Sequence, residues 1–362
     1  MTTISFPGLG IDEFTLNSIA IPIGDGGIRW YALCIVTGMI LAVLYTAYRA
    51  KGEGIIFDTI VDFAIFTIPI GIIGTRLYYV FFDWLDAMVN HQPNPYDSFI
   101  DVIAIWNGGL AIYGGIIFGG LTILVVAKVK RIPGKRLLKI LDAVSPGVMI
   151  AQSLGRWGNF FNGEAYGSVT SLPWRMCSEK FANRLYNIGL INRDTAYQML
   201  DGTLGVHPTF LYESLWNIIG FILINIFYKK KRFDGQIMLM YISWYGFGRM
   251  FIELLRTDSL TNGAGIRISS LVGLLSFIVA GSLLLYLFIK SKGNRTYGSE
   301  ILPAAAKVTA TANAEKSTEE ADEAIEDSTD EALEENSEEN QNSLENTENN
   351  ESKEEENDGK ID

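Results

Sequence analysis

The amino-acid sequence predicts an all-α polytopic membrane protein with seven transmembrane helices, an external N-terminus and a cytoplasmic C-terminus. Three observations lead to this prediction. Residues 1–300 contain apolar runs that are longer than the core of a soluble domain requires. Basic residues are concentrated in alternate connections between these runs. The C-terminal stretch, by contrast, is strongly acidic and poor in large apolar residues.

Charge divides the 362-residue chain into two parts. Its formal net charge is −12, although its mean hydropathy is positive. Residues 301–362 hold 21 acidic and 4 basic residues, whereas residues 1–300 hold 20 acidic and 25 basic residues. The acidic stretch cannot bury enough apolar surface to offset the entropy lost on ordering. We therefore predict a disordered cytoplasmic tail at 293–362, following a seven-helix transmembrane domain at 28–292.

Residues 1–27 are expected to form an external segment and not a signal peptide. They contain three acidic residues and lack the basic start that a signal peptide has. The two cysteines, Cys34 and Cys177, have no spacing typical of a disulfide framework or a metal site. We expect two isolated thiols and no metal.

Seven segments can cross a hydrocarbon core that is about 30 Å thick. They are residues 28–48, 60–82, 104–127, 137–155, 209–228, 236–255 and 268–288. The fourth segment contains Lys139, Asp142 and Pro146, so we expect it to be short, kinked or partly re-entrant.

The distribution of basic residues predicts the orientation, because cytoplasmic loops of membrane proteins are enriched in Lys and Arg. One set of alternate connections holds 15 basic residues and the other holds 8. The richer set belongs on the cytoplasmic side. The poorer set includes an external insertion, residues 168–206, between the fourth and fifth helices.

Polar side chains gather at the outer ends of the predicted helices. Ionisable groups at membrane depth are costly unless they are paired or reach a wet cavity, so they are functional candidates. Arg249, Glu253 and Arg256 have a spacing that places them on one helical face. Other polar residues at this depth are Tyr31, Arg76, Asn107, Tyr113, His207 and Glu213. We expect a polar cavity here; the alternative is that these charges only hold the helices together.

Residues 155–167 read GRWGNFFNGEAYG and contain four glycines. Glycine permits tight turns and close approach to a ligand. Arg156 offers a forked set of donors that suits a phosphate, and Asn159 and Asn162 offer amide donors. We interpret the stretch as an anion-binding loop in which Glu164 positions Arg156 or accepts a proton. A glycine-rich loop capped by asparagines is the alternative.

This stretch resembles the signature of the bacterial prolipoprotein diacylglyceryl transferase family. Further segments agree with that family in order and spacing, so that the resemblance covers about residues 20–290. They are WY at 30–31, NGGLAIYG at 107–114, HPTFLYE at 207–213, DGQ at 234–236, and YGFGR at 245–249 continuing through Glu253 to Arg256.

The resemblance implies an enzyme of the bacterial plasma membrane, with its active site at the outer leaflet. It would transfer the diacylglyceryl group of phosphatidylglycerol to the thiol of the lipobox cysteine of a preprolipoprotein, releasing glycerol phosphate. The implied partners are phosphatidylglycerol, the signal-peptide and lipobox segment and the lipid bilayer. Neither a metal, a soluble cofactor nor a nucleic acid is expected.

By similarity, Tyr31, Arg156, Asn159, Glu164, Gly167, Arg249 and Glu253 occupy positions that the family uses for lipid binding or catalysis. Together with the outer polar residues, they divide into two predicted groups. The predicted catalytic residues are Arg156, Arg249, Glu164, Glu253 and Tyr31. The predicted substrate-binding residues are Asn107, Asn159, Asn162, Gly167, Arg76, His207 and Arg256.

The mechanism that we predict depends on two arginines. Arg156 and Arg249 hold the lipid phosphodiester and take up the charge that grows on the leaving glycerol phosphate. Asn107 stands where family members often carry histidine, and its amide cannot accept a proton near neutral pH. We expect Asn107 to bind a phosphate or glycerol oxygen. The proton acceptor stays open among Glu164, Glu253, Tyr31 and His207.

Two other classes of protein are alternatives. A secondary transporter could carry broken helices and buried charges, but the sequence has no internal repeat and its charges gather at one face. A membrane scaffold could recruit partners through the acidic tail.

Overall fold

A computed structural model describes residues 2–23, 26–105, 108–257 and 267–291. The predicted tail at 293–362 and the site candidate Asn107 lie outside the described residues.

Helices make up most of the described residues. They are α1 (Trp30–Lys51), α2 (Phe57–Val89), α3 (Phe99–Ile103), α4 (Ile112–Val129), α5 (Gly134–Asn162), α6 (Glu179–Asn187), α7 (Arg193–Leu200), α8 (Thr209–Tyr228), α9 (Gln236–Leu255) and α10 (Ile268–Lys290). Within the described ranges, six of them are long and apolar enough to cross a membrane: α1, α2, α4, α5, α8 and α10. The fold is therefore that of a polytopic helical membrane protein.

The helix bounds agree well with several of the predicted segments. Segments 209–228 and 236–255 coincide with α8 and α9 end to end. The segment predicted at 104–127 begins eight residues before α4, because Gly108 and Gly109 adopt left-handed backbone angles (φ 86° and 65°) that interrupt a helix. Helix α9 forms as predicted, but its polar residues keep it out of the group of six apolar helices.

The expectation of a short or partly re-entrant fourth segment is wrong, whereas a kink at Pro146 stays a prediction. Helix α5 is continuous over 29 residues and contains Pro146 in its interior. It also extends through residues 155–162, so most of the predicted glycine-rich loop is helical. Helix α5 packs against α1, α8 and α9, and these neighbours stabilise a helix that its own sequence would favour less.

Short β-ladders, which the sequence analysis did not predict, lie outside the long helices. Strand β1 (Thr2–Phe6) pairs antiparallel with β2 (Ile11–Leu16), and β3 (Ile19–Ile23) with β4 (Gly26–Arg29). Strands β5 (Val169–Thr170) and β6 (Gly205–Val206) close the two ends of the 168–206 insertion. These ladders give the N-terminal segment and the insertion a fixed shape.

The N-terminal hairpin and the insertion form one small subdomain on the ends of α5 and α8. Ser5 and Cys177 exchange backbone hydrogen bonds of 3.0 and 2.9 Å, which join β1 to the insertion. The shared apolar core contains Ile4 of β1 and Phe181 of α6, together with Phe160 of α5 and Phe210 of α8. The subdomain is therefore anchored to the two helices that carry much of the site described below.

Near the beginning of α5, a group of charged side chains is fully buried. The Lys231 ammonium lies 2.8 Å from Glu53 and 2.9 Å from Asp142, and all three side chains are fully buried. Asp142 also accepts hydrogen bonds from the backbone N–H groups of Gly235 and Met238, and so caps the start of α9. Burial raises the pKa of Glu53 above its ordinary value. Burial also opposes the charge on Lys231, but the facing carboxylates leave the pKa of Lys231 raised.

Candidate active site

One carboxylate joins arginines from two different helices. Glu213 of α8 lies 2.7 Å from Arg156 Nη2 of α5 and 2.7 Å from Arg249 Nη1 of α9. A third arginine, Arg256, lies 3.6 Å from the same carboxylate. Three guanidinium groups therefore converge on a single buried glutamate.

The ladder predicted for α9 forms in part. Arg249 pairs with Glu253 at 2.5 Å, one helical turn away, as the spacing requires. Arg256 follows the last helical residue and has an extended backbone (ψ 145°). It reaches Glu213 from the end of α9 and not from its helical face.

The arginines are more accessible than the carboxylates that hold them. The side chains of Glu213 and Glu253 are 4% and 2% exposed, whereas Arg156 is 21% and Arg249 16% exposed. The carboxylates are thus more deeply buried than the arginine side chains, which keep part of their surface accessible. Such an arrangement suits the binding of an anion such as a phosphate.

The glycine-rich stretch is the last part of a helix and not an anion-binding loop. Gly158 packs against Tyr31 of α1, where an added Cβ would come within 2.8 Å of the Tyr31 ring. The helix ends at Gly163, which is left-handed (φ 60°), and Ala165 is left-handed as well (φ 55°). Gly158 therefore permits close packing of two helices, and the turn begins only at Gly163.

Helical spacing places Arg156 next to Asn159, whose side-chain oxygen accepts a hydrogen bond from Arg156 Nη1 (3.4 Å). The Asn159 amide donates to Glu164 (3.0 Å), and the Asn162 amide donates to the same oxygen (3.1 Å). Glu164 is thus held by two neutral amides and is coupled to Arg156 through Asn159. The Tyr31 hydroxyl lies within the electrostatic influence of both Glu164 and Arg156.

Gly167 joins three segments at the outer edge of the site. Its backbone N–H donates to the carbonyl of His207 (2.9 Å), and it pairs with Arg256 in an antiparallel bridge. An added Cβ would lie 2.7 Å from the His207 Cβ and 2.9 Å from the Leu255 carbonyl oxygen. Close backbone packing therefore requires glycine at this position.

His207 belongs to a separate group of polar side chains. Its Nδ1 is 3.1 Å from the Tyr212 hydroxyl, which also accepts a hydrogen bond from the indole N–H of Trp174 (2.6 Å). Burial lowers the pKa of His207 below its ordinary value, so the imidazole is neutral at pH 7. Trp174 links the insertion directly to α8.

Arg76, predicted to bind substrate, has a different environment. Its side chain is buried and donates to the backbone carbonyls of Asp101, Val102, Gly108 and Gly109 at 2.6–3.1 Å. These carbonyls occupy its forked donors. Arg76 therefore stabilises the segment that precedes α4.

The sequence analysis noted Glu213 but did not assign it to the site. A signal was present, because Glu213 lies in an apolar helix at the same depth as several arginines, and a carboxylate there requires a positive partner. Cys34 and Cys177 are free thiols, as expected. In the part of the chain that the structure describes, no three His, Cys, Asp or Glu side chains are placed to bind a metal ion.

Comparison with known proteins identifies the family of this chain. The family described as prolipoprotein diacylglyceryl transferase matches residues 18–286. Two relatives from Streptococcus pyogenes, of serotype M5 (strain Manfredo) and serotype M49 (strain NZ131), are each 42% identical to this chain over 270 residues. The match covers 73% of this chain and 92% of each relative, and both carry the name phosphatidylglycerol–prolipoprotein diacylglyceryl transferase. This chain belongs to the prolipoprotein diacylglyceryl transferase family.

Proposed function

We propose that this protein transfers the diacylglyceryl group of phosphatidylglycerol to the cysteine thiol of a prolipoprotein. The observation that carries the proposal is the convergence of Arg156 and Arg249 on the buried Glu213, with both arginine side chains partly exposed. The names of the 42% identical relatives state this lipid and this acceptor. The acceptor cysteine lies in the lipobox of the substrate.

The chemistry exchanges one bond for another. The cysteine sulfur bonds to the phosphate-bearing carbon of the diacylated glycerol unit. The bond between that carbon and its phosphate ester oxygen breaks. The electron pair leaves with glycerol phosphate, whose growing charge Arg156 and Arg249 stabilise. Glu213 and Glu253 hold those arginines in place before the substrate arrives, so little reorganisation is needed during the reaction.

Glu164 is the carboxylate that we assign as the proton acceptor. Glu213 and Glu253 form ion pairs with arginines, whereas Glu164 is held by the neutral amides of Asn159 and Asn162. A carboxylate held by neutral donors has capacity to take the thiol proton. Positive charge nearby also favours the thiolate form of the substrate cysteine.

An apolar cavity offers space for an acyl chain. It has a volume of about 390 Å³ and lies among α1, α2 and α5. Gln152 lines one end of it and is one helical turn from Arg156, on the same face of α5. Ile60 and Ile140 line the other end, nearer the beginning of α5. A lipid with its phosphate on Arg156 would extend its chain into this cavity.

The membrane placement that fits this chemistry has seven spans, an external N-terminus and the site at the outer leaflet of the plasma membrane. Helix α9 serves as the additional span, because Arg249 and Glu253 turn toward the carboxylate of α8 and away from lipid. The excess of basic residues in alternate connections supports this orientation.

The direct test combines the purified protein, phosphatidylglycerol and a synthetic lipobox peptide, and detects the thioether-linked product by mass. Arg156→Ala is expected to lower transfer by about 10²–10³-fold, the usual cost of removing a group that stabilises transition-state charge. A peptide with serine in place of cysteine is the substrate control. Full transfer by Arg156→Ala, in protein with an unchanged melting temperature, would refute the role of the arginine pair.

A further inference from the structure

A groove on the outer surface of the helix bundle lies between α2 and α4. Its volume is about 390 Å³, and its walls include Phe66 of α2 and Phe118, Leu121 and Val125 of α4. The groove ends at Lys130, just after α4. It is therefore an apolar surface groove with a positively charged residue at one end.

This groove is separate from the arginine cluster. The residues that line it belong to α2, to α4 and to the turn that follows α4. The cluster belongs to α5, α8 and α9 and lies near the other membrane face, because Arg156 is close to the end of α5 whereas Lys130 precedes its start. A ligand in the groove would not occupy the active site.

The length of the groove fits one leaflet of a bilayer. Phe118 and Lys130 are twelve residues apart, which corresponds to about 18 Å along a helix. Half of a hydrocarbon core that is roughly 30 Å thick is similar in length. One phospholipid acyl chain can therefore lie along α4 while its headgroup reaches Lys130.

The positive end is stronger than a single lysine. Lys128, Lys130 and Arg131 follow one another closely at the end of α4, and all three are exposed. Lys130 forms an ion pair with Asp62 of α2, yet its side chain remains 39% exposed. Three bases at the end of α4 outnumber the two carboxylates at the start of α2, Asp58 and Asp62, and leave a net positive charge at headgroup level.

We propose that this groove binds phosphatidylglycerol as a non-substrate lipid, with one acyl chain against α4 and the phosphate on Lys130 and its neighbours. The anionic headgroup matches the excess of positive charge. A signal-peptide helix fits less well, because its basic start would be repelled by the same lysines. The proposal does not depend on the transferase reaction.

The test uses the full chain in phosphatidylcholine nanodiscs that contain phosphatidylglycerol with a diazirine in one acyl chain. After illumination, peptide mass spectrometry measures the adducts on residues 118–130. Each basic residue near a membrane surface contributes about 1 kcal/mol to the binding of anionic lipid, or roughly fivefold. Lys130→Gln should lower the adduct yield about fivefold, and K128Q/K130Q/R131Q about a hundredfold.

Two further variants test the geometry of the groove. Asp62→Asn should raise the yield, because it removes the carboxylate that competes with the phosphate for Lys130. Val125→Trp should lower the yield, because the larger ring fills the groove. A residue with a purely structural role would not give these opposite effects.

The matched control is K229Q/K230Q/K290Q, which removes three charges at the ends of α8 and α10 on the same membrane face and should leave the yield unchanged. Adducts at the active site in the same sample serve as the reference for folded protein. The proposal would be overturned if a phosphatidylcholine probe gave the same adduct yield as the phosphatidylglycerol probe. It would also be overturned if the control variant lost as much yield as K128Q/K130Q/R131Q. Displacement of the probe by a synthetic signal peptide would assign the groove to a peptide instead.

Discussion

Two clusters of charge lie near opposite ends of α5, and they are built from similar residues in opposite ways. Near the end of the helix, Arg156 shares the carboxylate of Glu213 with Arg249, and the two arginine side chains are 16–21% exposed. Near its start, the Lys231 side chain is fully buried between Glu53 and Asp142. The arginine side chains of the first cluster are partly exposed, so we call it the outer cluster; the second is fully buried, and we call it the inner cluster.

This difference separates a binding site from a structural ion pair. Partly exposed positive groups can exchange their partners for a substrate phosphate, while the buried carboxylates hold their orientation. A sealed lysine cannot exchange partners. Instead it ties the connection after α1 to α5 and to the connection before α9. We therefore expect changes in the outer cluster to affect transfer, and changes in the inner cluster to affect stability.

The largest effect is expected from Lys231→Ala. It leaves buried carboxylates without a counter-charge, and breaking a buried pair in this way costs about 3–5 kcal/mol. The melting temperature in detergent should fall sharply, and little folded protein should be recovered. The control is Lys230→Ala at the exposed neighbouring position. Equal melting temperatures for the two variants would show that the inner cluster does not stabilise the fold.

Glu213→Gln tests the outer cluster. The amide keeps the shape and an acceptor oxygen but loses the charge that holds both arginines, so kcat/KM should fall by about 10–100-fold, or roughly 1.4–2.7 kcal/mol. The melting temperature should change little. Glu179→Gln, at an exposed position on α6, is the control. A large loss of stability with unchanged kinetics would make the outer cluster structural, like the inner one.

Gly167→Ala should be less damaging and should act through packing. The new methyl would meet His207 and the Leu255 carbonyl oxygen at less than 3 Å, and such overpacking costs about 1–3 kcal/mol. Gly155→Ala is the matched control, because nothing lies within 4 Å of its added Cβ and alanine favours a helix. We expect a lower melting temperature only for Gly167→Ala; equal values would refute the close approach at this edge of the site.

The smallest effect concerns pH. Burial lowers the pKa of His207 in the folded protein, so the unfolded chain takes up the proton first as pH falls. The stability contributed by neutral His207 is present above about pH 6.5 and is lost below it. The melting temperature should fall less steeply between pH 7 and pH 5 in His207→Gln than in the original protein.

The other histidine provides the control for this measurement. His91 is exposed and lies in the connection after α2, so His91→Gln should keep the original slope. If the melting temperature changes equally with pH in the original protein, in His207→Gln and in His91→Gln, His207 does not contribute to the dependence of stability on pH.

The sequence by itself determined the helical segments and the family. Apolar runs are local signals, and the bounds of α8 and α9 follow from them because each run ends at a charged or glycine-containing connection. The ordered motifs are local too, and they carried the resemblance that the comparisons confirmed. The pairing of Arg249 with Glu253 followed from their spacing of one helical turn.

Tertiary structure alone decided how the charges of different helices are paired and where α5 ends. Glu213 is 57 residues from Arg156 and 36 from Arg249, and no local pattern states which carboxylate meets which arginine. The glycines at 155 and 158 were interpreted as turn residues, yet the packing of α5 against α1 requires a small residue at Gly158 and keeps the helix intact. Local propensity is weak compared with burial against neighbouring helices, so only the assembled bundle determines these features.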